Sequence, residues 1–304
     1  MPGVLVNKLY DFKGHRDCVY ALAKGTDTNH FFSAGADGLV VGWNMNHPDQ
    51  GELMAKVPHS IYALHYLRDR NILVVGHNQD GIHFINVNDK KETASTQLTT
   101  NSIFDIQSFE SLLVAAAGDG SIFIVDLTTF KSIKRITAST QSVRCLAINT
   151  QSRELAAGYS DNHIRIFSLD DFSLKVEWAA HDNSVFALGY TPDHNFLVSC
   201  SRDARLKRWD VANQYQKNLE VVGHLYAINN LSFSPDGKHF ITCSMDKTIK
   251  VWHSQEMKLL KVIDRARHGG HGTSVNKVLW LSEHRLVSAS DDRNIAVWDI
   301  HMQS

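Results

Sequence analysis

The sequence has few cysteines and prolines, no excess of either charge and no long apolar run. Its four cysteines (Cys18, Cys145, Cys200 and Cys243) never form a CxxC pair, so in a chain of 304 residues they give neither a disulfide framework nor a zinc ligand set. Lys plus Arg (31) nearly balance Asp plus Glu (32), so no net charge attracts nucleic acid or an anionic membrane. We therefore expect reduced thiols, no cofactor or metal, and neither nucleic acid nor membrane as a partner.

The sequence also lacks the patterns that are typical of membrane spans, signal peptides and amphipathic helices. No stretch approaches the about 18 apolar residues that cross a bilayer, and Met1-Pro2-Gly3-Val4 lacks the basic start of a signal peptide. No segment carries a sustained helical period, and no linker rich in Pro, Gly or Ser divides the chain. The sequence predicts a cytoplasmic, nearly all-β protein with one domain over residues 1–304.

A repeated unit organises the chain. Seven times a small or polar pair precedes an Asp, which is followed by a short apolar strand and then a Trp or its substitute. The aspartates recur at intervals of 39 to 46 residues, at Asp37, Asp80, Asp119, Asp161, Asp203, Asp246 and Asp292. A period of roughly 40–45 residues is typical of a propeller with four strands per blade.

The two ends of the chain predict how such a ring closes. The last unit ends almost at Trp298-Asp299 and lacks an outer strand, while Leu5 to Phe12 precede the first Gly14-His15 and belong to no complete unit. An N-terminal strand that completes the last blade would remove an open sheet edge.

These motifs resemble the WD40 family over the whole chain. The resemblance implies a closed seven-bladed β-propeller of antiparallel strands, in which a His, a Ser or Thr, an Asp and a Trp form a hydrogen-bonded chain inside a blade. Four units keep all four members: His15, Ser33, Asp37 and Trp43; His181, Ser199, Asp203 and Trp209; His224, Thr242, Asp246 and Trp252; His271, Ser288, Asp292 and Trp298.

Units two to four have lost this set. Val57, Thr99 and Ser139 take the place of the His. Gly76, Ala115 and Ala157 replace the Ser, and Asn86, Val125 and Phe167 replace the Trp. We expect these blades to be held mainly by apolar packing, with the remaining Asp capping its turn.

Two chemical alternatives deserve weight against this structural interpretation. Ser, His and Asp together suggest a hydrolase, but an enzyme has no need for four equivalent nucleophiles around a ring. His268 and His271 suggest a metal, but no third or fourth ligand accompanies them and His271 aligns with the structural histidines. We therefore predict no catalytic, cofactor-binding or metal-binding residue, and a glycine-rich loop at 265–272.

The more informative residues are those that the family places on the entrance face of the ring, beside the first strands and before the Asp turns. Aromatic, Arg and Met side chains enriched in interface cores gather there. The predicted partner-binding residues are Tyr20, Tyr62, Phe104, Arg144, Phe186, Arg202 and Met245.

The predicted function is a non-catalytic scaffold or adaptor, monomeric alone, that docks a protein or peptide on this face. One alternative is that the aromatic side chains only pack between adjacent blades. Another is an enzyme or small-ligand binder in the central channel, where the first strands offer the isolated polar residues Asp105, Asn230 and Lys277. Fold alone does not separate these functions.

Overall fold

A computed structural model of the protein describes residues 3–302. They form seven four-stranded antiparallel sheets, arranged as blades around a ring. The part described contains almost no helix: one turn of 3-10 helix spans Arg68–Arg70, and helix α1 spans Arg265–His268. The predicted seven-bladed all-β propeller is confirmed, although α1 occupies part of the segment for which we expected a loop.

Each blade is a meander whose first strand lines the central channel. Blades one to three comprise β2 (Val19–Lys24), β3 (His30–Gly35), β4 (Leu39–Asn44), β5 (Gly51–Lys56); β6 (Ile61–Leu67), β7 (Ile72–His77), β8 (Gly81–Asn86), β9 (Glu92–Thr96); and β10 (Ile103–Phe109), β11 (Leu112–Ala117), β12 (Ser121–Asp126), β13 (Lys131–Thr137). Blades four and five comprise β14 (Val143–Asn149), β15 (Glu154–Tyr159), β16 (His163–Ser168), β17 (Leu174–Ala179); and β18 (Val185–Tyr190), β19 (Phe196–Ser201), β20 (Arg205–Asp210), β21 (Gln216–Val222).

The last two blades follow the same plan. They comprise β22 (Ile228–Phe233), β23 (His239–Ser244), β24 (Ile249–His253), β25 (Lys258–Ile263); and β26 (Val275–Ser282), β27 (Arg285–Ser290), β28 (Asn294–Met302), with β1 (Val4–Lys13) outermost. The order β1-β28-β27-β26 in blade seven confirms that the N-terminal strand completes the last blade.

The apolar core lies between neighbouring blades. Phe12, at the end of β1, is fully buried and packs edge-on against Phe31 and Trp43 of blade one, at ring-centroid distances of 5.3 and 5.2 Å. The same cluster contains Val287 and Val297 of blade seven. Strand β1 therefore closes the ring by backbone pairing to β28 and by side-chain packing to blade one.

Blade two departs from the repeat by one residue. His77 pairs with Ile61 as Gly35 pairs with Val19, but Asp80 follows His77 by three positions, whereas Asp37 follows Gly35 by two. The longer turn has positive φ at Gln79 (80°) and at Gly81 (103°).

This insertion corrects two sequence assignments. Ile85, not Asn86, takes the position of the Trp, because Ile85 pairs with Leu73 as Trp43 pairs with Phe31. By the same register Val75, not Gly76, takes the position of the Ser.

Within residues 3–302, no helix is long and apolar enough to cross a membrane.

Candidate functional site

The four predicted hydrogen-bonded chains are confirmed. In blade five, Trp209 Nε1 donates to Ser199 Oγ at 2.9 Å, and His181 bonds Ser199 Oγ at 2.7 Å and Asp203 at 2.8 Å. The Asp also accepts the backbone N–H of Arg205. Blades one, six and seven repeat this arrangement with bonds of 2.7 to 3.2 Å.

The hydroxyl groups of these chains are unsuited to catalysis. Ser33, Ser199, Thr242 and Ser288 are fully buried. Each hydroxyl accepts the indole N–H while bonding the His, so both of its main hydrogen-bonding roles are used within the blade. These networks therefore fix the blades.

Blades three and four carry replacement networks in addition to the apolar packing and the capping aspartates that we expected there. Thr99 Oγ1 donates to Asp119 at 3.0 Å, in the place of the His, and Arg135 donates to the same carboxylate. In blade four, Ser139 and Arg165 likewise donate hydrogen bonds to the carboxylate of Asp161.

The buried networks make stability depend on pH. Burial alone would raise the pKa of Asp203, but hydrogen bonds from His181 and from the backbone outweigh it and lower that pKa to about 2. Burial lowers the pKa of His181. Below about pH 6.5 the unfolded His takes up a proton that the folded His resists, and below about pH 4 the unfolded Asp does the same. Both effects favour unfolding as the pH falls.

We therefore expect the melting temperature to fall from pH 7 to pH 4 and further toward pH 2, as measured by circular dichroism. His47→Gln, at an exposed His outside the networks, should leave the profile unchanged. A melting temperature that stays constant between pH 7 and pH 4 would contradict the assignment.

Five of the seven predicted partner-binding residues form one continuous row, which we name the aromatic arc: Tyr20, Tyr62, Phe104, Arg144 and Phe186. The ring centroids of Tyr20 and Tyr62 lie 4.9 Å apart, and those of Tyr62 and Phe104 lie 5.5 Å apart. The Arg144 guanidinium stands 3.9 Å from the Phe104 centroid and 5.1 Å from that of Phe186. All five side chains are half-buried and line the mouth of the channel.

Arg144 differs from the other stacked arginines. Arg153 lies 4.9 Å from the Phe109 ring but also pairs with Glu110 and Asp170, and Arg165 over Tyr159 pairs with Asp161 and Glu177. Arg135 likewise pairs with a carboxylate, and Arg208 bonds an amide and two carbonyl groups. Within residues 3–302, the Arg144 guanidinium makes no hydrogen bond or ion pair, so its donor edge remains free to bind a ligand.

Arg202 and Met245 stand apart from the arc, on the exposed turns of blades five and six. Their backbone N–H groups bond Ser184 O and Ala227 O beside the first strands, which places them on the entrance face. In the part of the chain that the structure describes, no aromatic or cation–π contact joins either one to the arc.

Sequence reasoning missed two residues beside Met245. Leu225 and Tyr226 are 81% and 65% exposed, and Met245 is 53% exposed. Ser244 Oγ donates to Tyr226 O and Met245 N to Ala227 O, so the two turns that carry these exposed side chains lie side by side, and we name the three residues the blade-six patch (Leu225, Tyr226 and Met245). The available signal was an apolar pair after the network His, where blades one, five and seven have Arg16-Asp17, Asp182-Asn183 and Gly272-Thr273.

Two polar residues of the channel, Asp105 and Asn230, hold neighbouring blades together. Asp105 accepts the backbone N–H of Leu146 in the next blade at 2.8 Å, and Asn230 accepts that of Val278 at 3.2 Å. Burial raises the pKa of Asp105, although nearby Lys277 opposes the shift. Asp105 and Asn230 therefore connect neighbouring blades, and Lys277 lies near Asp105 in the channel.

Comparison with known proteins agrees with the repeat. The family model described as "WD domain, G-beta repeat" matches residues 6–44, 130–168, 172–210, 215–253 and 261–299. The longest unmatched stretch, 45–129, holds blade two and the first three strands of blade three, where the His–Ser–Trp set is lost. The crystal structure of the WD40 beta propeller domain of Doa1 superimposes with a TM-score of 0.87 over 97% of each chain at 16% identity, which shows the fold alone.

Two curated relatives align along nearly the whole chain. The "66 kDa stress protein" of Physarum polycephalum is 26% identical over 95% of this chain and 47% of its own length. "Actin-interacting protein 1" of Caenorhabditis elegans is 22% identical over 94% of this chain and 47% of its own length. This chain thus spans less than half of each relative. WD40 propeller relatives such as these are generally consistent with a role as protein-interaction scaffolds. The five matched repeats cover more than half of the sequence, and the chain belongs to the WD domain, G-beta repeat family.

Proposed function

We propose that the protein is a non-catalytic scaffold that docks an acidic segment of a protein partner on the entrance face. The observation that carries the proposal is Arg144, whose guanidinium lies 3.9 and 5.1 Å from the centroids of two phenylalanine rings and has no carboxylate partner within residues 3–302. A guanidinium presents paired donors that match a carboxylate, and stacking orients that edge before the ligand arrives. An Asp or Glu of the partner fits this site.

The surroundings of Arg144 favour a macromolecular partner. The half-exposed rings of the aromatic arc offer a stacked apolar surface, and Arg202 and the blade-six patch extend the exposed surface around the same face. Tyr, Phe, Met and Arg are enriched at the cores of protein interfaces. A closed ring holds these side chains in place, which lowers the entropic cost of binding.

The channel does not favour the alternative of an enzyme or small-ligand binder, because Asp105 and Asn230 already bond the backbone of neighbouring blades. A cytoplasmic location and a monomeric state of the isolated protein complete the proposal.

Phage-displayed random 12-residue peptides, selected on the immobilised protein, supply the probe for a test. We expect the selected peptides to be enriched in Asp and Glu. In calorimetric titrations, Arg144→Ala, Tyr62→Ala and Arg202→Ala should each weaken binding by about 2 kcal/mol, roughly thirty-fold, which is the loss typical of residues that anchor an interface. Arg144→Lys should recover only part of the loss, because an ammonium lacks the planar donor pair.

Arg153→Ala is the matched control. Arg153 is also stacked on a phenylalanine, but its donors already bind Glu110 and Asp170, so its loss should leave peptide affinity unchanged. The folded state of each variant is to be checked by circular dichroism. Undiminished affinity in Arg144→Ala and Tyr62→Ala together would move the binding site off the arc.

A further inference from the structure

Blade two gathers three potential metal ligands that the sequence analysis did not single out. The Nε2 atoms of His77 and His83 lie 2.8 Å apart. Asp80 Oδ2 lies 3.9 Å from the first and 3.7 Å from the second. One ligand atom from each residue fits within 4.8 Å of the others.

The one-residue insertion in the blade-two turn creates this cluster. His77 ends β7 and His83 lies on β8, so the two rings meet edge to edge across neighbouring strands, with nearly parallel planes and centroids 4.8 Å apart. The repeat aspartates of blades three and four cap their turns by accepting the N–H groups of Ser121 and His163.

Asp80 does not follow this pattern. It accepts no backbone N–H within the range 3–302, contrary to our expectation of a cap, and its side chain is 54% exposed beside the two rings. The positive φ of Gln79, which is costly for a residue with a Cβ, is part of the turn that holds it there.

The hydrogen bonds of the two rings leave both Nε2 atoms with free lone pairs. His77 Nδ1 faces the backbone oxygen of Asn78 at 2.6 Å, and His83 Nδ1 faces a carboxylate oxygen of Glu92 at 3.1 Å. Both partners only accept hydrogen bonds, so each Nδ1 carries the hydrogen. In neutral rings the two Nε2 lone pairs then face each other across 2.8 Å, a repulsion that is relieved when a cation binds and, for a metal ion, the two nitrogen atoms move apart.

A proton is an unfavourable candidate for that cation. The His77 side chain is only 1% exposed, and a buried imidazolium lacks hydration. A proton would also bridge the rings without using the carboxylate of Asp80. A metal ion would use all three groups.

We propose that His77, Asp80 and His83 bind a divalent transition metal ion of the zinc class. Imidazole nitrogen and carboxylate oxygen are ordinary ligands of Zn²⁺, with bonds of about 2.0–2.2 Å, which place the donor atoms of a tetrahedral site about 3.4 Å apart. The observed separations of 2.8, 3.7 and 3.9 Å lie on both sides of that spacing. Water completes the coordination on the exposed side of Asp80.

The outer contacts match those of known metal sites. A ligating His commonly donates its second N–H to a carboxylate or a carbonyl, which fixes the ring and its tautomer. Glu92 and the backbone oxygen of Asn78 supply these two acceptors. The ion would join β7, β8 and their turn in a blade that lacks the His–Ser–Trp chain.

The test uses the full chain without a polyhistidine tag, freed of metal by chelation and titrated with ZnCl₂ by calorimetry. We expect one equivalent to bind, Co²⁺ to give the visible absorption of a tetrahedral site, and Zn²⁺ to raise the melting temperature. Mg²⁺ and Ca²⁺ should not compete, since they prefer sites made of oxygen ligands.

Variants separate this site from adventitious binding. His83→Gln and Asp80→Asn should weaken Zn²⁺ binding by more than about 100-fold, and Glu92→Gln by about 10- to 100-fold. The matched control is His301→Gln, which alters another pair of neighbouring imidazole rings, those of His284 and His301, whose centroids lie 4.5 Å apart. Melting of each metal-free variant should match that of the metal-free wild type. Affinity for Zn²⁺ weaker than about 0.1 mM, or a loss in His301→Gln equal to that in His83→Gln, would overturn the proposal.

Discussion

Deleting residues 1–12 should abolish the soluble monomer or lower the melting temperature by many degrees. The deletion removes almost all of β1, which pairs with β28 from Val4 to Lys13, and it exposes the outer edge of β28 to other chains. It also removes Phe12, a fully buried ring whose loss alone is worth about 3–5 kcal/mol. Strand β1 contributes both to blade seven and to the packing against blade one. Its removal should therefore open the ring between these two blades.

Size-exclusion chromatography and thermal melting measure this effect. Removing residues 1–3 is the matched control, because it leaves the pairing of Val4 with Met302 intact and should change little. A protein lacking residues 1–12 that remains monomeric and melts at the wild-type temperature would show that β1 does not close the ring.

Trp209→Ala should lower the free energy of unfolding by about 3–5 kcal/mol. The substitution leaves a cavity beside Trp178, whose ring centroid lies 5.3 Å away, and it removes the donor that Ser199 Oγ accepts. Peptide binding at the arc should change only through unfolding. Urea denaturation gives the free energy.

Trp→Phe substitutions at two neighbouring positions isolate the contribution of the hydrogen bond. Trp209→Phe breaks the bond to Ser199 and should cost about 1–3 kcal/mol. Trp178 Nε1 is buried without a partner, so Trp178→Phe removes an unsatisfied donor and should cost clearly less. Equal costs at the two positions would mean that packing, and not the network, sets the stability of blade five.

The sequence predicted the fold because its evidence is periodic. Seven aspartates at intervals of 39 to 46 residues fix the number of blades, and the unpaired segment before Gly14 identifies the closing strand. The four complete networks could also be predicted from the sequence, since each has the same spacing from His to Asp to within one residue. The extra residue in the turn of blade two was missed, because intervals of this repeat vary by more than one residue.

The replacement networks could not be predicted in the same way. Arg135 reaches Asp119 from β13, and nothing in the local sequence indicates which charged side chain of an outer strand turns inward. The contact between His77 and His83 depends likewise on the register of β7 and β8. The insertion in the turn between these strands shifts that register relative to the other repeats.

The candidate docking site was predicted in position but not in detail. The repeat register places Tyr20, Tyr62, Phe104, Arg144 and Phe186 side by side, and the structure shows this row. That Arg144 makes no ion pair within residues 3–302 depends on residues from several blades, so the sequence could not indicate it. The role of these residues in binding remains a prediction.

Hydrogen–deuterium exchange of the protein with and without a selected acidic peptide tests the docking face most directly. The exchange footprint shows which backbone segments a ligand protects. We predict protection at residues 18–20, 60–62, 102–104 and 142–144, where the first strands begin at the entrance face, and unchanged exchange at 191–196 on the opposite face. Protection confined to 191–196 or to the outer strands, with exchange around Arg144 unaltered, would contradict this prediction.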